Sequence, residues 1–370
     1  MFDKWFKKEK PFQGLAGFGG GATSRLLGAS KGNQFDVTGG NATSTGGGNK
    51  YFYFTSPGNL TVASTNGDGA FEFSFMLIGA GGGGTSTGGG GGGAGAFVQK
   101  VDYPVLSIPG PSGVGPGSSV NFAVSIGSAN TSPYQQPGNA STLAVPNTWS
   151  SAAPKTFTAA GGGRGNQGNG YEGGSGGGGG RNGGTGGNPT VSNISTIDGS
   201  GNTPDTGIGS YGGDGATNFP GPGGGTGGGG GGAGGGGGDA PGSDNQPYTS
   251  IPAGPGGLGR AAFLGDTNVS TSYGTAHPSQ PGRWFAGGGG GGNHNVGGPG
   301  DSPGGAAPIA GGGASGSPRN SPGFGGTPVV ANTGSGGGGG GGTSNAFVGA
   351  GSAGANGICI VRVSQANISN

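Results

Sequence analysis

One cysteine, few charges and no long apolar run mark this sequence, and each shortage excludes a class of protein. Cys359 is alone in 370 residues, so neither an intramolecular disulfide nor a thiolate metal cluster can form. In its setting, Gly-Ile-Cys-Ile-Val, it reads as a small buried hydrophobe. Asp, Glu, Lys and Arg make up only 8% of the chain, and 15 basic residues against 14 acidic ones leave a net charge of +1. That balance gives no electrostatic footprint for nucleic acid. Arg164, Arg181, Arg260, Arg283 and Arg319 stand singly rather than in a basic patch. No stretch approaches the roughly 20 apolar residues of a membrane span. The charged opening Met1–Lys10 is not followed by an apolar run of signal-peptide length. The hydrophobic set reaches 28%, too little for an ordinary helical or α/β core at this length.

Glycine fills the space instead, supplying 110 of 370 residues. Each glycine costs a helix about 1 kcal/mol relative to alanine, so almost no α-helix is expected. The glycines cluster in runs at 81–84, 88–93, 176–180, 227–232, 234–238, 287–292 and 336–342, without a Gly-X-Y period. A run of six or seven in the extended three-residue-per-turn helix spans roughly 19–22 Å, at about 3.1 Å per residue. Such a helix has no internal hydrogen bonds. Packed side by side with no Cβ between them, several can exchange N–H···O=C bonds in all lateral directions. The runs therefore read as parallel and antiparallel rods of a polyglycine II bundle joined by long Pro/Asn/Ser/Thr/Tyr loops. A flexible linker is the competing state for the same composition.

Strand signals flank the glycine. Tyr51–Thr55 and Leu60–Ser64, separated by Ser56-Pro-Gly-Asn, read as a hairpin. Phe71–Ile78 is the strongest strand, and it runs directly into Gly79-Ala-Gly-Gly-Gly-Gly. Further strands are expected at Ala96–Val101, Val120–Ile126 and 358–363, with scarcely any strand-like run between the last two. Gly14–Gly48 reads as an extended linker. The fold class expected is mostly β/irregular. It combines a small antiparallel β-sandwich, closed by the C-terminal strand, with a polyglycine bundle. The division is an arm at 1–30 and a glycine-rich domain at 31–370, with strands at 50–126 and 358–363 and the bundle and loops at 79–95 and 161–342. On the arm, Phe2, Trp5 and Phe6 share one helical face and call for a partner surface. A neighbouring protein and the chain's own body both fit, and a membrane surface is a third option.

Catalytic motifs dissolve in this background. Gly-X-Gly-X-X-Gly recurs by composition alone, without a βαβ context. His277 and His294 lack a second ligand at metal spacing. The acidic residues stand singly, and nothing assembles a nucleophile, a base and an oxyanion donor. No enzyme, metal or cofactor is expected. The chemistry that remains belongs to aromatic rings in the loops, which can stack on sugars or fill partner pockets. Tyr134, Trp149, Tyr211, Tyr248 and Tyr273 are the binding candidates, with sealing of the bundle ends as their competing role. Trp284-Phe285, abutting the run 287–292, reads as such a cap.

Four segments carry a family likeness. Phe52-Tyr-Phe-Thr-Ser-Pro-Gly-Asn-Leu-Thr-Val, Phe75-Met-Leu-Ile-Gly-Ala-Gly-Gly-Gly-Gly, Gly95-Ala-Phe-Val and Gly354-Ala-Asn-Gly-Ile-Cys-Ile-Val-Arg-Val resemble the glycine-rich domain of bacteriophage tail-fibre and virion proteins. Thr156-Phe-Thr-Ala-Ala-Gly-Gly-Gly is similar to that domain's internal repeat. The likeness covers residues 50–365 and extends more loosely to fibre-tip adhesins built as polyglycine sandwiches. It implies a virion protein made in the host cytoplasm without a signal peptide, acting in host-surface attachment. Phe2, Trp5 and Phe6 would anchor it to other virion proteins. The loop aromatics would meet a host glycan or protein, and a homotrimer would be the natural assembly. A non-adhesive appendage or connector is the alternative, and a polyglycine ice-binding protein is a third. The separate N-terminal arm and the long Pro-rich loops depart from the adhesin pattern, so no receptor site is carried over residue by residue.

Overall fold

A computed structural model describes residues 35–64, 71–105, 119–130, 136–146, 155–181, 183–193, 202–209, 212, 225–240, 252–295, 305–306, 329–343 and 347–368. The arm residues Phe2, Trp5 and Phe6 lie outside them, as do Tyr134, Trp149, Tyr211 and Tyr248. The longer strands are β1 (Phe35–Gly39), β2 (Ala42–Gly46), β3 (Asn49–Phe54), β4 (Gly58–Ser64), β5 (Phe71–Ile78), β6 (Phe97–Val105), β7 (Ser119–Ser125), β8 (Ser141–Val145), β9 (Lys155–Ala159) and a closing strand Ile358–Ser364. Among the described residues, helical structure is confined to three-residue 3-10 turns at Ala262–Leu264 and Gln365–Asn367.

The strands form two facing sheets. One has the order β1-β4-β7-β8-β9, antiparallel throughout. The other begins with the two-residue strands Ser192–Asn193 and Ile208–Gly209 and continues through β6, β5, the closing strand, β3 and β2. Between them lie Phe52, Phe54, Phe73, Phe75 and Val361 from one sheet and Leu60, Val62, Phe122, Leu143 and Phe157 from the other. Phe73 meets Phe122 edge to face at 5.4 Å, and Phe75 meets Phe157 at 4.7 Å, the offset geometries that aromatic rings favour. The seven-stranded sheet is buried on its second face too. There Tyr51, Tyr53, Met76, Ile78, Phe97 and Ile360 pack against Phe263, Phe285 and Ala286. Burial on both faces explains why β5 and the closing strand read as unbroken apolar runs rather than alternating ones.

Three sequence expectations are corrected. β3 and β4 are not a hairpin: β3 pairs with β2 and the closing strand, whereas β4 pairs with β1 and β7 in the opposite sheet. Both carry an apolar face, and those faces meet across the sandwich instead of sharing an edge. The end of the supposed linker forms β1 and β2. Phe35 and Val37 alternate inward, while β2 is a polar edge strand that only pairing with β3 defines. Finally, β8 and β9 lie between β7 and the closing strand and complete the five-stranded sheet.

The glycine runs form the expected bundle, and its order is visible in the hydrogen bonds of the rod 89–96. Gly90, Gly93 and Ala96 donate N–H to Asn166, Gly163 and Ala160. Gly91 and Ala94 donate to Gly228 and Gly231, and Gly92 and Gly95 to Gly337 and Gly334. The carbonyls repeat the period. Those of Gly90, Gly93 and Ala96 accept from Thr85, Gly82 and Gly79, those of Gly91 and Ala94 from Gly178 and Ser175, and those of Gly89 and Gly92 from Gly292 and Gly289. These N···O distances lie between 2.7 and 3.2 Å. Each neighbour recurs every third residue, which is the signature of a three-residue turn. Three donor directions and three acceptor directions give six surrounding rods, and only 227–232 runs parallel to the central one. The rod 227–233 shows the same period, donating in turn to 286–292, 176–179 and 235–238.

Candidate functional site

Rods and strands are continuous, and this gives the molecule two poles. β5 runs out into 79–84 and 89–96 runs back into β6, while β9 leads into 161–165 and 349–357 leads into the closing strand. The sandwich is therefore one pole. There Phe35 bridges Ile368 and its ring packs on Phe71, at the end of β5 remote from the glycine. The other pole is the far end of the bundle, at the turn Thr85–Thr87. Gly88 N–H donates to Gly340, Thr87 N–H to Gly349 and Arg181 N–H to Gly88, so the rod ends there are gathered around this turn.

Side chains with unusual surroundings sit at that far end. Thr87 and Gly88 both have positive φ, 49° and 66°. A Cβ on Gly88 would lie 2.7 Å from His294 Cβ and 3.1 Å from Arg181 Cδ, so both side chains fold over this glycine. The Thr87 hydroxyl and the Arg181 Nη1 are buried and have no hydrogen-bond partner among the described residues. Burial pulls the Arg181 guanidinium below its ordinary pKa. In the sequence Arg181 is one of several scattered arginines. The available signal was its position directly after the run 176–180, with Thr85-Ser-Thr87 splitting two further runs.

The sandwich pole carries a polar cleft of about 320 Å³ lined by Asn49, Glu72, Ser74, Asp102, Arg362 and Ser364. A bulge between β5 and β6 produces it: the register shifts between Phe73 and Phe75, and Asp102 takes φ 49°. Arg362 is held in place by Ser74 Oγ at 3.1 Å, Asp266 Oδ2 at 3.1 Å and the Phe263 ring at 4.8 Å. Asp266 also accepts from the Tyr51 hydroxyl at 2.6 Å and from both nitrogens of Asn268. Burial pushes the Asp266 carboxyl up, but the bonds from Tyr51, Asn268 and Arg362 outweigh that and hold it below the usual range. The network straps the segment 262–273 onto the second face of the seven-stranded sheet.

Of the five binding candidates, only Tyr273 falls within the described residues. Its ring stacks on Tyr53 at 4.4 Å and is partly buried against the second apolar cluster. Phe285 is fully buried at the junction of bundle and sheet, while the Trp284 ring lies tilted against His277 at 4.5 Å. The His277 Nδ1 accepts N–H bonds from Ser279 and Gln280, which occupies it in a turn. Tyr171, 44% exposed, lies under the Arg164 guanidinium at 3.8 Å. Cys359 is fully buried between sheets, and its thiol is pushed up by desolvation. Among the described residues no cluster of three or more His, Cys, Asp or Glu side chains is placed to hold a metal ion. No helix among them is long and apolar enough to cross a membrane. In comparisons with known proteins, the chain matches no family model and no curated sequence.

Proposed function

We propose that the chain is a structural, non-enzymatic virion protein of a bacteriophage, a tail fibre or fibre-tip adhesin that carries a host-facing surface at the far end of its glycine bundle. The observation that supports this most is the central rod with six hydrogen-bonded neighbours. A scaffold whose backbone groups are paired in every lateral direction is stiff, and it offers little side-chain chemistry except at its ends. The strands that open or end the segments resembling phage glycine-rich domains also lie together, since β6, β5, the closing strand and β3 are consecutive in one sheet, with β4 facing them. In this reading Phe2, Trp5 and Phe6 dock the chain to other virion proteins, and copies of the chain associate, with a trimer as the natural assembly.

The test is localisation on phage particles. Electron microscopy with an antibody against the folded protein should place label at the distal tip of a tail fibre, and purified protein should compete with phage for adsorption. Label on the capsid or at the tail junction, with no competition, would instead assign a non-adhesive connector. One observation favours that second reading: Tyr273 is engaged with Tyr53 rather than presented outward.

A further inference from the structure

The far end of the bundle combines two features that a purely structural cap would avoid. Buried polar atoms in native proteins are almost always paired, and a guanidinium nitrogen buried without a partner is costly. Yet Arg181 Nη1 and Thr87 Oγ1 are both buried and, among the described residues, unpartnered, and both belong to residues joined to the same glycine: Thr87 precedes Gly88, and Arg181 donates its backbone N–H to the Gly88 carbonyl at 3.1 Å. Thr87 is held in the left-handed region, which costs energy for a β-branched residue and persists only where surroundings impose it. His294 closes the other side, its Cβ against Gly88.

We propose that this site binds an oxyanion, with the Arg181 guanidinium and the Thr87 hydroxyl, both beside Gly88, as its donors. The arrangement suits a single carboxylate, phosphate or sulfate group, because a guanidinium fork and a hydroxyl complement its oxygens. Such a group comes from two sources, a free inorganic anion or an acidic unit of a surface polysaccharide. The second source rests on the attachment reading above; the site itself does not.

Calorimetric titration of the full chain at low ionic strength, with inorganic phosphate, sulfate, an oligogalacturonate and neutral maltotetraose, tests this. Binding of at least one anionic probe is expected, without binding of maltotetraose. Arg181→Gln should weaken it about tenfold or more, as loss of a charged hydrogen-bonding partner does. Thr87→Val keeps the shape of the side chain and should weaken it as well. Arg260→Gln, which removes another guanidinium shifted by burial alone but located on the strand pair beside Phe285, should leave it unchanged. Binding of phosphate or sulfate alone assigns the site to free anions, and uptake of the oligogalacturonate assigns it to acidic glycans. Absence of binding by wild-type protein at 10 mM (~10⁴ times a micromolar site) overturns the proposal. So does equal binding by wild type and Arg181→Gln, provided the variant keeps the wild-type circular dichroism.

Discussion

At Gly91 one added methyl group would lie 2.0 Å from the Gly289 carbonyl oxygen, and at Gly92 the same distance from that of Gly82. Both obstacles are backbone of a neighbouring rod, so relief requires two rods to part and break their hydrogen bonds. Gly91→Ala should therefore destabilise the protein by about 3 kcal/mol or more, beyond ordinary overpacking. Gly168→Ala, whose Cβ meets nothing closer than 3.8 Å, should change stability by less than about 1 kcal/mol. Thermal midpoints of the two variants would check this, and equal midpoints would contradict the lattice. Asp266 is the other sensitive residue, its side chain only 10% exposed. Removing it in Asp266→Ala leaves the Tyr51 hydroxyl and Arg362 short of a partner, an expected loss of about 2–4 kcal/mol. Its folded pKa lies below the unfolded value, so its contribution is complete above roughly pH 4 and disappears as pH falls through the folded value. Wild-type stability should drop in that acid window, and Asp266→Asn should flatten part of the drop. Sequence marked Cys359 correctly as a small buried hydrophobe. It could not find Asp266, because its partners Tyr51 and Arg362 lie 215 and 96 positions away.

Among the elements, the rods were legible as runs and the strands only in part. Glycine in long runs disfavours helix, and it leaves a side-chain-free backbone that either water or lateral hydrogen bonding between rods must satisfy. Composition therefore left the bundle and a solvated linker as alternatives, and the inter-rod hydrogen bonds distinguish them. β5 and the closing strand were legible because burial on both faces makes them continuously apolar. β2 was not, because Ala-Thr-Ser-Thr-Gly has no apolar face and owes its conformation to pairing with β3. The partners of β3 and β4 were misread because a short turn between apolar segments looks the same whether the strands share an edge or face one another. Hydrogen exchange gives the element-scale prediction. Amides of Gly90–Ala96, each bonded to another rod and buried, should exchange only through global unfolding. Those of Gly235 and Gly236 on the outer rod, half-buried and exposed, should exchange much faster. Uniformly fast exchange in the central rod would contradict the period-three network.

For the molecule as a whole, the decisive property is that no boundary separates the sandwich from the bundle. β5, β6, β9 and the closing strand are each prolonged by a rod, so neither part can lose its packing while the other keeps its chain path. The junction is itself apolar, with Ala94 of the central rod in one cluster with Met76, Ile78, Phe97 and Phe285. Sandwich and bundle should therefore unfold in a single cooperative transition. Near-ultraviolet circular dichroism would follow the aromatic sandwich, and exchange of the glycine amides would follow the rods; their midpoints should coincide. Phe75→Leu in the sandwich and Gly91→Ala in the rods should lower that common midpoint in both signals. Separate midpoints, with each variant moving only its own signal, would make the bundle an independent unit. A stiff connection between the poles, which host attachment through the far end requires, would then be lost, whereas a connector role would be untouched.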